Sequence, residues 1–187
     1  MSTSRFNIFK TTIDALKLVQ RKPIFDKRGF FERLYCFEEL KDLVNGKNII
    51  QINRSYTKLT GTVRGMHLQK PPYAEIKMVL CLKGKVFDVA VDFREGSPTF
   101  LKYHAEILSE DNNYMLIIPE GFAHGFQTLE DNCEILYFTT AQYNSEFEIG
   151  LNPMDPILNI KWPIKISVIS EKDKSFPFID NNFSKFA

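Results

Sequence analysis

Alternation along the chain with the period of two residues is the strongest structural signal in this sequence, and it is clearest in KVFDVAVDF, residues 85–93. Every second side chain of this segment is apolar and two aspartates fall between them, which is the period of a β-strand. The apolar face carries Phe87, Val89, Val91 and Phe93, and the opposite face carries Asp88 and Asp92. This segment is therefore predicted to be a strand.

Further strands are predicted in the apolar segments 76–82, 113–119 and 133–143, which are separated by turn signals at 83–84, 96–98 and 131–132. Only residues 37–44 have the apolar spacing of a helix, and an Asn-Gly pair at 45–46 ends it. Many short strands with few helices indicate an all-β jelly-roll sandwich with short peripheral helices.

A chain of 187 residues is long enough for one domain and short for two. No repeat or change in composition marks a linker. We expect a single domain over residues 1–187, with N-terminal strands over about 1–50 and the jelly-roll core over about 51–163. The stretch over about 164–187 is polar and broken by prolines, so it is expected to wrap the domain.

The balance of charge limits the partners of the chain. With 24 basic and 23 acidic residues the formal net charge is +1, which argues against a broad surface for nucleic acid. No apolar run approaches the roughly 18 residues of a membrane span. The cysteines are odd in number and lie in apolar surroundings, which indicates reduced thiols and a cytoplasmic location.

Two of the three histidines lie in unusual settings. His124 lies between two glycines in PEGFAHGF, residues 119–126, and His67 follows Gly65, whose position in a strand suggests a bulge or a close approach by a ligand. His104 belongs to an ordinary alternating strand, so a packing role is expected for it.

A lysine and two tyrosines add to the candidates. Lys77 starts a strand that is apolar on both faces, so it is expected to be at least partly buried, with a task or with a structural partner in Glu75 or Asp88. Tyr137 and Tyr143 are six apart and would share a face of a regular strand, as a packing pair or as a proton donor and a stacking platform.

A metal site is not expected. Metal-binding jelly rolls of the cupin type usually carry an HxH motif with a later carboxylate and a third histidine, but Met66 and Leu68 flank His67 without a second histidine. The chain also has no GxSxG, Walker or GxGxxG motif, which leaves serine hydrolase, P-loop and Rossmann chemistry without support.

Nine segments in order resemble the dTDP-4-dehydrorhamnose 3,5-epimerase family, whose members are metal-free cupins that act on nucleotide-linked 4-keto-6-deoxyhexoses. The resemblance runs from about residue 23 to 178. It rests on DKRGFFER (26–33), QINRS (51–55), VRGMHLQ (63–69), IKMV (76–79), GKVFDVAVDFREGSPTF (84–100), PEGFAHGF (119–126), ILYFTTAQY (135–143), LNPMDPILNIKWP (151–163) and SEKD (170–173).

The resemblance implies an epimerase without a cofactor. The protons on C3 and C5 of a 4-keto sugar are both alpha to the carbonyl, so inversion needs a base, a group that stabilises the enolate oxygen, and an acid on the opposite face. By resemblance His67 is the base, Asp173 orients it, Lys77 meets the enolate oxygen and Tyr137 returns the proton.

The remaining family positions imply a nucleotide-sugar site completed across a homodimer interface. Arg64, together with Arg28 from the neighbouring subunit, would meet the diphosphate, where paired guanidinium donors fit well. By resemblance the other contacts to the substrate come from Gln51, Asn53, His124 and Tyr143.

Two departures from the family pattern bear on the nucleotide. Arg33 stands where the family has a glutamate, and Gln142 replaces the first of two tyrosines. The nucleotide, whether dTDP, CDP or GDP, therefore stays open, as does inversion at C3, at C5 or at both. The alternatives are an epimerase for one carbon, a 3,4-ketoisomerase of the same fold, and a cupin that binds a sugar nucleotide without catalysis.

Overall fold

The computed structural model of the chain describes residues 4–180, so the two extreme ends of the expected domain, 1–3 and 181–187, lie outside it. Strands dominate this range. They are β1 (Phe6–Lys10), β2 (Lys17–Arg21), β3 (Ile24–Asp26), β4 (Gly29–Phe31), β5 (Gln51–Thr57), β6 (Thr62–Gln69), β7 (Lys77–Lys83), β8 (Lys85–Asp92), β9 (Tyr103–Ser109), β10 (Tyr114–Ile118), β11 (Phe122–Thr128), β12 (Cys133–Thr139), β13 (Glu148–Gly150) and β14 (Val168–Ile169). The α-helices are α1 (Phe37–Leu40) and α2 (Glu171–Ser175), and 3-10 turns lie at Lys41–Val44 and Ser145–Phe147.

Two large sheets form a sandwich. The first has the strand order β1-β2-β10-β7-β12-β5, and the second has the order β13-β6-β11-β8-β9. Strand β14 adds to β6 in parallel, whereas β3 and β4 form a separate hairpin. Apart from the pairs β1–β2 and β8–β9, neighbours in the two large sheets are not consecutive in the sequence, as in a jelly roll. The predicted all-β jelly-roll sandwich is confirmed.

Buried clusters lie between the two sheets and on the outer side of each sheet. Between the sheets, Val86 and Ala90 of β8 pack in one cluster with Val79 and Leu116 of the first sheet. The alternation in 85–93 therefore does not separate core from solvent.

On the outer side, the odd-numbered residues of β8 pack against the long segment that follows β13. Val89 and Val91 share a cluster with Leu158 and Ile160, which cover them. Asp88 and Asp92 are fully buried on the inner side. These two carboxylates must therefore be stabilised by internal partners.

The predicted helix over 37–44 is half correct. The α-helix ends at Leu40 and continues as a 3-10 turn to Val44, and both of these side chains are fully buried. Asn45 then adopts a left-handed conformation with φ of 52°, so the Asn-Gly pair ends the segment as predicted.

Gly65 produces a bulge that shapes the site. It has φ of +112°, and a Cβ atom there would lie 2.6 Å from the backbone of both His124 and Gly125. The pairing of β11 with β6 shifts register at this point. Residues three apart in a regular strand face opposite ways, but the bulge lets Arg64 and His67 line one cavity. The bulge inferred at Gly65 is confirmed.

Candidate active site

Two cavities of about 470 and 350 Å³ open beside the inner face of β6 and share His67, Lys77 and Tyr137. The larger cavity also reaches Arg64 and His124, and it is closed on one side by the segment of Val168, Ser170, Lys172 and Asp173. The smaller cavity is lined in addition by Gln51, Asn53, Glu75, Tyr143 and Glu148. The three shared side chains therefore lie where the two cavities meet.

His67 and Asp173 form a hydrogen-bonded pair at this junction. Nε2 of His67 lies 2.8 Å from Oδ1 of Asp173, whose side chain is 5% exposed. A carboxylate only accepts hydrogen bonds, so Nε2 carries the proton and Nδ1 of the neutral ring is left with a free electron pair. That nitrogen is available to accept a proton.

The position of Asp173 follows from local sequence. Ser170 caps α2 by accepting a hydrogen bond of 3.0 Å from the backbone N–H of Asp173. The backbone N–H of Gly65 donates to the second carboxylate oxygen at 3.3 Å. Burial alone would raise the pKa of Asp173. Hydrogen bonds to its carboxylate from His67, from the backbone of Gly65 and from the side chain of Ser170 hold that pKa below its ordinary value. The carboxylate is therefore ionised at neutral pH.

Glu148 lies on the other side of the imidazole, and no pattern in the sequence indicated a role for it. Its Oε1 lies 3.8 Å from Nδ1 of His67, and its Oε2 accepts hydrogen bonds from Lys172 at 2.5 Å and from Tyr143 at 3.0 Å. Burial works to raise the pKa of Glu148, but the bonds from Lys172 and Tyr143 and the charge of His67 lower it overall. A second carboxylate thus faces the base.

Lys77 is 9% exposed, as the sequence predicted. Its Nζ donates to the backbone oxygen of His67 at 3.1 Å and lies 3.2 Å from Oε1 of Glu75. Of the two structural partners considered, the structure therefore brings Glu75 to the lysine. The cation nevertheless lines both cavities, where it can stabilise a developing negative charge.

Tyr137 presents its ring to both cavities from β12. Burial raises the pKa of its phenol, Glu75 raises it further, and Arg64 partly opposes the rise. The phenol therefore keeps its proton at neutral pH and can act as an acid.

The predicted strand over 133–143 is too long, and Tyr143 lies beyond its observed end. Strand β12 ends at Thr139, whose Oγ1 donates to the backbone oxygen of Ala141 at 2.8 Å, so the spacing of six residues no longer fixes the direction of Tyr143. Tyr143 is 54% exposed and still lines the smaller cavity, so it can offer its ring to a ligand there.

His124 is held by Asp88. Nε2 of His124 lies 2.8 Å from Oδ2 of Asp88, which is fully buried at the inner side of β8. Because the carboxylate of Asp88 only accepts hydrogen bonds, Nε2 of His124 carries the proton, and Nδ1 carries none when the ring is neutral. Asp88 could have been suspected from the sequence, since a buried strand face rarely carries an unpaired carboxylate.

The other predicted ligand-binding residues are brought together in part. Gln51 donates to Asn53 at 2.8 Å in the smaller cavity, and Arg64 donates to Oγ1 of Thr57 at 3.0 Å while lining the larger one. Arg28 lies apart from both cavities in the β3–β4 hairpin, where it is exposed and pairs with Asp26 at 2.5 Å.

The two departures from the family pattern lie outside the cavity linings. Arg33 pairs with Glu39 at 2.5 Å, and the backbone oxygen of Gln142 accepts a bond of 3.2 Å from Gln69. Within residues 4–180, no His, Cys, Asp or Glu residues are grouped as a metal site would require. The same range contains no helix with the length and hydropathy of a membrane span.

Comparisons with known proteins give one consistent result. The family model for dTDP-4-dehydrorhamnose 3,5-epimerase matches residues 10–181. A protein of that name from Sinorhizobium fredii is 41% identical over 167 residues, which is 89% of this chain and 86% of the relative.

Solved structures agree with the sequence comparison. The dTDP-6-deoxy-D-glucose-3,5-epimerase of Legionella pneumophila, in complex with dTDP-4-keto-L-rhamnose, has a TM-score of 0.88 at 38% identity and 92% coverage of both chains. The dTDP-4-dehydrorhamnose 3,5-epimerase of Bacillus anthracis, with TDP and PPi bound, has a TM-score of 0.89 at 36% identity over 93% of this chain and 99% of the other. The chain therefore belongs to the dTDP-4-dehydrorhamnose 3,5-epimerase family.

Proposed function

We propose that the chain is an isomerase that inverts C3 and C5 of dTDP-4-dehydro-6-deoxyglucose. The observation that carries the proposal is the meeting of a base, a cation and an acid at one junction, formed by His67, Lys77 and Tyr137. Relatives of this chain were solved with dTDP-4-keto-L-rhamnose and with TDP bound, which supports a nucleotide sugar as substrate.

The proposed reaction begins with proton removal. Nδ1 of His67 takes the proton from the carbon next to the carbonyl, and the electron pair of the C–H bond moves to form the enolate. Lys77 stabilises the negative charge on the enolate oxygen. Asp173 and Glu148 stabilise the imidazolium that results, because each places a carboxylate beside one ring nitrogen.

The second half of the reaction returns a proton to the opposite face. The O–H of Tyr137 gives its proton to the carbon, and the enolate electron pair forms the new C–H bond. Solvent then reprotonates the phenolate and takes the proton from His67. One base and one acid on opposite faces invert the centre, and the same pair serves C3 and C5 in turn. The step needs no cofactor because the carbonyl itself takes up the electrons.

The nucleotide part of the substrate is proposed to lie against the remaining polar residues. Arg64 offers paired donors to the diphosphate, and Tyr143 offers an exposed ring on which the base stacks. Gln51 and Asn53 supply amide groups in the smaller cavity, and His124 supplies a polar contact beside Lys77 in the larger one.

We also propose a homodimer in which Arg28 of one subunit meets the diphosphate bound to the other. The hairpin that carries Arg28 also exposes Phe25, Phe30 and Phe31 at 70%, 65% and 67%, and such a patch is typical of an interface. A cytoplasmic location belongs to the same proposal. It is supported by Cys36, Cys81 and Cys133, which are all free thiols.

Mixing two variants tests the shared site. Arg28→Ala and His67→Ala each damage every site of a homodimer, but a mixed dimer keeps one complete site. Activity that returns when the two variants are unfolded and refolded together supports the exchange of Arg28, and the absence of any return contradicts it.

Product analysis tests the activity. The protein is incubated with dTDP-4-dehydro-6-deoxyglucose, and the configuration of the product is determined by NMR. Inversion at C3 and C5 is the expected result. Inversion at one carbon indicates an epimerase for that carbon, and a carbonyl moved from C4 to C3 indicates a ketoisomerase. If this substrate is unchanged while the CDP or GDP sugar reacts, the proposed nucleotide is wrong. If none of them reacts, the proposed activity is wrong, and the alternative of a cupin that binds sugar nucleotides without catalysis is favoured.

A further inference from the structure

Phe176 contacts the imidazole that we propose as the base. The ring centroids of Phe176 and His67 lie 5.9 Å apart with an angle of 74° between the planes, which is an edge-to-face arrangement. Aromatic pairs in this geometry attract one another beyond the effect of burial alone. The imidazole of His67 is therefore in contact with Phe176, while its two nitrogens face Asp173 and Glu148.

Gly150 provides the space for this phenylalanine. It lies in β13 directly opposite His67 of β6. A Cβ atom at Gly150 would lie 1.9 Å from Cζ of Phe176, so the tip of the ring covers the glycine backbone. A contact this short forces a shift of one partner, and the glycine is thus needed here for space.

Asn152 fixes the backbone next to Phe176. Its side-chain Nδ2 donates to the backbone oxygens of Lys174 and Phe176 at 3.1 and 2.9 Å, and the asparagine is only 4% exposed. Asp173 and Phe176 thus belong to one short segment that is anchored at its end. That segment holds the imidazole both through the hydrogen bond between Nε2 and Asp173 and through the aromatic contact with Phe176.

We propose that Phe176 is a positioning residue that fixes the orientation of the His67 ring. Rotation of the imidazole about its bond to Cβ would turn Nε2 away from Asp173 and Nδ1 away from the cavity. Phe176 blocks that rotation because its ring packs against the imidazole and fills the space above Gly150. The effect on catalysis rests on the proposed function, whereas the effect on the ring does not.

NMR of protein labelled with ¹⁵N-histidine tests the orientation directly. The chain has only three histidines, so a His67→Asn variant suffices to assign the His67 signals. We expect His67 to be protonated at Nε2 alone in the native protein while the ring is neutral. In Phe176→Ala we expect averaged signals from both tautomers, because the ring is released. Unchanged His67 signals in Phe176→Ala overturn the proposal.

Kinetics of the same variants connect the orientation to the reaction. Misplacement of a reacting group lowers rates by up to about a hundredfold, so we expect kcat of Phe176→Ala to fall between about tenfold and a hundredfold with little change in KM. Phe178→Ala is the matched control, since Phe178 is 52% exposed in the same segment and lines neither cavity. Equal kcat losses in the two variants contradict the proposal.

A compensating pair separates positioning from general stability. Gly150→Ala alone is expected to displace Phe176 and to lower kcat by about tenfold. Phe176→Leu replaces the ring with a shorter side chain that leaves room for a Cβ atom at position 150. The double variant Gly150→Ala/Phe176→Leu is therefore expected to be no slower than Phe176→Leu alone. Losses that simply multiply argue against the contact. If the native protein proves inactive, the proposed function fails, but the NMR comparison still decides the role of Phe176.

Discussion

Nε2 of His67 lies 2.8 Å from Oδ1 of Asp173, although 106 positions separate the two residues in the sequence. Strand β6 supplies the imidazole, and the first turn of α2 supplies the carboxylate after the chain has passed through both sheets. The C-terminal segment that contains α2 therefore completes the site. Its removal would leave His67 without the acceptor that orients it.

Lys77 and Glu75 allow activity and stability to be separated. Lys77→Met leaves the carboxylate of Glu75, which is 9% exposed, without its cation, so we expect the free energy of unfolding to fall by about 2 kcal/mol. Turnover should fall by about a hundredfold or more, because the enolate oxygen loses its stabilising charge. Chemical denaturation and turnover are measured on the same samples.

The double variant Lys77→Met/Glu75→Gln is the control for this prediction. It should recover part of the lost stability, since the unpaired buried charge is gone, and it should remain as inactive as Lys77→Met. Recovery of turnover in the double variant would show that Lys77 serves only as a structural partner of Glu75.

Tyr137→Phe is predicted to affect inversion more than proton removal. The variant keeps the ring and loses the hydroxyl that is proposed to return the proton, so product formation should fall by about a hundredfold. Exchange of the substrate protons with solvent should persist at a much higher rate, because His67 is intact. Deuterium uptake and product formation are followed together. Equal loss of both would contradict a separate acid on the opposite face.

Glu148→Gln tests the carboxylate that faces Nδ1 of His67 at 3.8 Å. At this distance, a charge pair near a protein surface is worth a few kcal/mol at most, so we expect kcat to fall by about tenfold. The amide keeps the shape of the side chain, and a Lys172→Met variant controls for the loss of the partner of Glu148. An unchanged kcat in Glu148→Gln would mean that the carboxylate does not stabilise the imidazolium.

Asp92 gives a prediction about stability and pH. Its buried carboxylate accepts hydrogen bonds from Arg94 at 2.7 Å, Ser97 at 2.6 Å and Thr99 at 2.6 Å. Burial opposes ionisation, but these bonds outweigh it and hold the pKa of Asp92 far below its ordinary value of 3.8. We expect Asp92→Asn to lower the free energy of unfolding by about 3 kcal/mol at neutral pH.

The sign of the pH dependence follows from the lowered pKa. The contribution of Asp92 is fully present above pH 3.8 and is lost as the pH falls through the lower value of the folded state. The difference between the native protein and Asp92→Asn should therefore shrink below pH 3.8. Denaturation curves at neutral and acidic pH measure this difference in the free energy of unfolding. The variant Glu95→Gln is the control, because Glu95 is exposed. A difference that is constant with pH would be inconsistent with this account.

Local features of the fold were predictable from sequence because they depend on neighbouring residues. The strand period in 85–93, the bulge at Gly65 and the stop at Asn45 each follow from side-chain shape and backbone freedom over a few positions. The burial of Lys77 was also predictable, because its own strand is apolar on both faces.

Features that depend on distant segments were not predictable from periodicity. The strand predicted over 133–143 was too long because nothing in the spacing of its residues shows that β12 ends at Thr139. Glu148 was missed because an isolated glutamate carries no signal until β13 pairs with β6 and brings it to His67. The proximity of Asp173 to His67 was inferred only through resemblance to a family.

Solvent exchange with and without His67 tests the central claim most directly. Native protein and the His67→Ala variant are incubated with dTDP-4-dehydro-6-deoxyglucose in deuterated water, and deuterium at C3 and C5 is followed by NMR and mass spectrometry. The account predicts deuterium at both carbons with the native protein and none above background with His67→Ala. Exchange by His67→Ala at a rate near that of the native protein would contradict the assignment of His67 as the base.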